Sequence, residues 1–78
     1  MTFDPIAGIT RTAAERLADR PELQSQVEPT ARLAWAIFTE LREQSQDPTR
    51  ADVIRRLESE SPVDRVVINA VADALFNS

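Results

Sequence analysis

Residues 29–44 read Pro29-Thr30-Ala31-Arg32-Leu33-Ala34-Trp35-Ala36-Ile37-Phe38-Thr39-Glu40-Leu41-Arg42-Glu43-Gln44. Placed at about 100° per residue, Ala31, Leu33, Ala34, Trp35, Ile37, Phe38 and Leu41 gather in one arc, with Arg32, Thr39, Glu40 and Glu43 opposite. The period is helical, so the stretch predicts a helix with an apolar face wide enough to touch two neighbours. Trp35 falls at the margin of that arc, beside Arg42 seven residues on. A marginal Trp commonly closes a core with its indole N–H facing water, and Trp is also the residue type most enriched in interface hot spots. Both readings of Trp35 stay open.

Outward from this segment, five prolines punctuate the chain. Pro suits the first position of a helix and pushes the preceding residue out of the helical region. Asp4-Pro5, Asp47-Pro48 and Ser61-Pro62 each join a good capping residue to such a Pro, Ser61-x-x-Asp64 approximates a capping box, and Arg20-Pro21 and Glu28-Pro29 are weaker versions. These starts predict a first helix over 6–20 with Ile6, Ile9, Ala13 and Leu17 on one face. Gly8 weakens its first turn, and Thr12-x-x-Glu15 offers a second start. A short helical turn or structured link follows over 21–27, carrying Leu23 and Val27. After the helix from Pro29 come one over 48–58, with Ala51, Val53, Ile54 and Leu57 inward, and one over 62–77. Short connections such as 45–47 and 59–61 favour packing between consecutive helices. The one β-branched run, Val66-Val67-Ile68, lies inside a helically spaced pattern without flanking turn residues. The fold class is therefore all-α, a small bundle of four to five short helices, and 78 residues hold one domain, 1–78.

Composition narrows the chemistry further. With no Cys, His, Tyr or Lys, the chain lacks thiolate and imidazole nucleophiles, the commonest metal ligands, a Schiff-base amine and a phosphate-loop lysine. A single Gly, Gly8, cannot build a phosphate-cradling loop, and the acids are scattered singly rather than spaced as a calcium loop. No cofactor, metal or small-molecule substrate is expected. Paired carboxylates such as Glu40 with Glu43, or Glu58 with Glu60, fall on outward faces at helix ends, where nothing tunes them for acid–base work, so no catalytic residue is assigned. The longest apolar run, 33–38, is far short of the roughly 20 residues that span a bilayer. With Asp4 where a signal peptide carries basic residues, a cytoplasmic chain is expected.

Ten of the fourteen residues from Val63 to Phe76 are apolar. Val63, Val66, Val67, Ile68, Ala70, Val71, Ala74 and Leu75 fill an arc of roughly 200°, more than one packed face needs; Arg65, Asn69 and Asp73 form the polar stripe, Phe76 projects into it, and Ala72 lies between the stripe and the arc. Either this is the central helix of the bundle, or part of it is an exposed stripe. The second reading makes Ile68, Ala72 and Phe76, with Trp35, the partner-binding residues, and the partner a protein or a second copy in a homodimer.

The stretch Pro48-Thr49-Arg50-Ala51-Asp52-Val53-Ile54-Arg55-Arg56-Leu57, a short turn, and Pro62-Val63-Asp64-Arg65-Val66-Val67-Ile68 resembles the positioning and recognition helices of a bacterial helix-turn-helix regulator. The resemblance covers about half the chain. It implies DNA contacts from Arg50, Arg55, Arg56, Arg65 and Asn69. The pattern departs from the family at Glu58, where a turn Gly is common, and in having no sequence for a wing. Charge opposes the implication: the chain carries net −4, and from Pro48 onward four Arg stand against five acids. The expectation is a non-enzymatic helical interaction or regulatory module, with a wingless DNA-binding regulator as the alternative.

Overall fold

A computed structural model describes residues 4–44 and 47–76. Met1 to Phe3, Ser45 and Gln46 of the expected connection, and Asn77 at the expected end of the last helix lie outside the described residues. The chain forms α1 (Pro5–Arg16), a 3-10 turn (Pro21–Leu23), α2 (Gln24–Glu43), α3 (Arg50–Glu60) and α4 (Arg65–Phe76). There is no strand among the described residues, so the all-α bundle holds, with four α-helices.

Asp4 starts α1 as its sequence suggests. The carboxylate accepts from the N–H groups of Ile6 (3.1 Å) and Ala7 (3.3 Å), and Pro5 occupies the first helical position. Ile9, Ala13 and Leu17 are buried and Ile6 is half-buried, but the helix ends at Arg16 and not at Arg20. Its last carbonyls find a partner downstream: Gln24 Nε2 donates to the carbonyls of Leu17 (2.7 Å) and Ala14 (3.2 Å).

That contact explains why α2 starts at Gln24, five residues before the expected Pro29. Gln24 fixes the first turn onto the end of α1, Leu23 and Val27 bury, and Pro29 is carried inside the helix. Pro29 cannot donate to the carbonyl of Ser25, and both residues are exposed on the outer side of the helix. The expected inward arc of α2 holds at Ala31, Ala34, Ile37 and Leu41, which are buried; Leu33, Trp35 and Phe38 are half-buried.

The two later starts are displaced as well. Thr49, not Asp47, caps α3: its Oγ1 accepts from the Asp52 N–H, and Asp52 Oδ2 accepts from the Thr49 N–H, each at 3.2 Å. Reciprocal satisfaction of two orphan donors outweighs the preference for Pro at the first helical position. Ser61 does not open α4 either. It ends α3 in an extended conformation, its N–H donating to the Leu57 carbonyl at 2.9 Å. Asp64 opens α4 instead, accepting from the Val66 N–H through Oδ1 at 2.9 Å. In α3, Val53 and Leu57 are buried, whereas Ala51, expected inward, is exposed.

α2 and α4 form the centre, each touching all the other helices, with α1 and α3 flanking them. The Asp64 N–H donates to Gln26 Oε1 at 3.3 Å, and Phe76 meets Phe38 one helix length on. The two central helices therefore run in the same direction, with α3 in the connection between them. Packed on three sides, α4 buries Val67, Ile68, Ala70, Val71, Ala72, Ala74 and Leu75, seven of its twelve residues. The wide apolar arc belongs to a central helix. Val66, placed in that arc by the sequence, is instead 40% exposed, the most exposed of the large apolar residues among the described residues.

Candidate docking surface

The expected partner stripe along α4 does not form. Ile68 is 2% exposed and Ala72 0%, both inside the core, because α1, α2 and α3 cover the turns that carry them. Phe76, at the end of the same line, is half-buried and packs elsewhere. Its ring meets Phe38 of α2 edge-on, with centroids 5.6 Å apart at 85°, and Phe38 stacks on Trp35 at 5.7 Å and 30°. Both arrangements are favoured by the ring quadrupole. Of the four residues singled out from the sequence, Trp35 and Phe76 are thus joined through Phe38, and Ile68 and Ala72 are separated from them.

Side chains of α2 frame this aromatic run. The guanidinium of Arg42 lies 5.7 Å from the Phe38 centroid, within reach of a cation–π contact. Thr39 Oγ1 donates to the Trp35 carbonyl at 2.8 Å. Trp35, Thr39, Arg42 and Glu43 line a shallow depression of about 320 Å³. Phe38, Thr39 and Glu43 were missed as site residues because the helical arc alone assigns Phe38 to the core and the other two to bulk solvent. The spacing Trp35, Phe38, Arg42 held the signal, since residues three and four apart adjoin on a helix.

The cations of the helix-turn-helix resemblance are largely matched by acids of the same chain. Arg50 pairs with Asp73; Arg56 with Glu60 (2.9 Å) and Glu40 (3.6 Å); Arg65 with Glu58 (3.7 Å). Arg55 is exposed, and Asn69 is half-buried on α4. The exposed edge of α4 runs Arg65, Val66, Asn69, Asp73, so a carboxylate sits where a duplex phosphate would approach. Within α3, Asp52 is committed to the cap and Glu58 faces Arg65.

A second depression, of about 310 Å³, lies between the start of α1 and α2 and is lined by Asp4, Ile6, Ala7, Thr10, Glu28 and Arg32. Its charged groups are engaged: Asp4 caps α1, and Arg32 donates to Glu28 at 2.8 Å. Among the described residues no cluster of carboxylates could hold a metal ion, and no helix is long and apolar enough to cross a membrane. No protein-family model matches the chain, and neither the characterised proteins nor the solved structures compared with it give a match.

Proposed function

We propose that the chain is a non-enzymatic cytoplasmic docking module, which binds a protein partner through the surface made by Trp35, Phe38 and Phe76 and bordered by Thr39, Arg42 and Glu43. The observation that carries the reading is the joining of all three aromatics at one half-buried place, from two helices, beside an arginine. Trp and Arg are the side chains most often found at the energetic centre of an interface, and rigid aromatics lose little entropy when covered. The ion pairs on α3 and α4 favour this surface over a nucleic-acid contact, because they leave few cations to neutralise phosphate.

A photo-crosslinking residue placed at Thr39, and another at Ala51 on the outward side of α3, tests the reading in the native host. Adducts of defined mass from position 39 and none from position 51 are expected. Equal yields at the two positions, or none at position 39, would sink it.

A further inference from the structure

We propose that α3 is a lid, which opens as a unit over a core of α1, α2 and α4 that stays folded. The three core helices each pack against the other two, whereas α3 rests on α4 and α2. Val53 and Leu57 are the buried residues of α3, two of its eleven, against seven of twelve in α4; Ile54 packs beside them half-buried. The polar ties of α3 to the other helices lie at the surface. Arg50 pairs with Asp73, Arg56 with Glu40 at 3.6 Å and Glu58 with Arg65 at 3.7 Å, and every one of these side chains is more than a quarter exposed. An element held by few buried apolar groups and by exposed polar contacts opens ahead of the rest of a fold.

Both ends of α3 are finished within the segment itself. Thr49 and Asp52 cap its start reciprocally, and the Ser61 N–H closes its end on the Leu57 carbonyl. Lifting α3 away therefore breaks none of the capping bonds of its neighbours, and Asp73 keeps Arg16 of α1 as a partner when Arg50 leaves. Eleven residues are too few to hold a helix alone in water, so a lifted α3 unwinds and exposes its amides. The chain has the slack for this. Residues 44–64 join α2 to α4, and twenty-one residues reach about 70 Å when extended, against a longest molecular dimension of 37 Å. The core helices need not part, and opening uncovers the side of the core that Val53 and Leu57 close.

Amide exchange of the full chain, followed in rising urea below the unfolding transition, tests the proposal. The amides of Arg56 and Leu57 are expected to be protected about 10-fold less, or lower still, than those of Ile37 in α2 and Val71 in α4. They should share one opening, with a weaker urea dependence than the core because less surface is exposed. Ile9→Val, a mild truncation on α1, should speed exchange at Ile37 and Val71 by about 2- to 12-fold and leave Arg56 and Leu57 unchanged, since α1 remains folded in the open state. Equal protection and equal urea dependence in all four helices would overturn the lid, as would α3 amides that accelerate together with those of α4 in Ile9→Val. Protection that rises smoothly from both ends of α3 to a centre matching α4 is fraying, and overturns it too.

Discussion

Arg50, at the start of α3, donates through Nε to Oδ1 of Asp73 near the end of α4, twenty-three residues away. The other oxygen of Asp73 accepts from Arg16 of α1 at 3.5 Å. One carboxylate on a central helix thus ties together the two flanking helices. Asp73→Asn is expected to cost about 1 kcal/mol, since exposed pairs contribute roughly 0.2–1 kcal/mol each. The loss should shrink in 1 M salt, where screening acts within about 3 Å. Urea melts of the variant at low and high salt check both statements.

The hydroxyl of Thr30 is buried in the core, with the residue 1% exposed, and has no hydrogen-bond partner among the described residues. A buried polar group in that state costs about 1–3 kcal/mol. Thr30→Val keeps the shape and removes the group, so it should raise stability by about 1 kcal/mol and the melting midpoint by about 4–8 °C for a domain of this size. Calorimetry on the two proteins decides the point.

Gly8 sits within α1, and a Cβ built there meets no atom within 4 Å. Gly8→Ala removes backbone freedom from the unfolded chain without a clash, and stabilisation of about 0.5–1 kcal/mol should follow. A denaturation midpoint unchanged or lowered would contradict this account.

The Thr49–Asp52 box gives α3 a dependence on acid. Asp52 is held below the ordinary carboxylate range, first by the backbone N–H of Thr49 and then by its side chain. A carboxyl whose pKa is lower folded than unfolded contributes stability that is complete above the unfolded value, about 3.9, and is lost as pH falls through the folded one. Helicity at α3 should therefore fray in acid below about pH 4. Asp52→Asn should flatten that part of the transition, followed by amide exchange at Val53 and Ile54. Thr49→Ala should cost about 1 kcal/mol at neutral pH.

Helical periodicity carried most of the fold, because burial on one side of a helix leaves a repeat that no neighbour can disguise. The inward face of α2 and the Asp4 cap were legible for that reason. Pro48 and Pro62 misled as start signals, since Thr49 and Asp64 cap the two helices instead. Pro29 misled because the contact that starts α2 early, Gln24 to the end of α1, spans two elements and leaves no local pattern. The site was harder to read. An apolar stripe on α4 has the same sequence whether a partner or a sibling helix covers it, and only the placement of α1 and α3 commits Ile68 and Ala72 to the interior.

The shared direction of α2 and α4 has a consequence for how the chain is made. Two helices that point the same way cannot be brought together by a tight turn, so the intervening segment must be drawn across before they meet. A nascent polypeptide that has emerged only as far as Glu60 lacks the twelve residues of α4, seven of which lie buried in the core. Cooperative structure should therefore wait until α4 has left the ribosomal tunnel, and shortening the polypeptide from that end should be tolerated far less than trimming the same number of residues elsewhere at its surface.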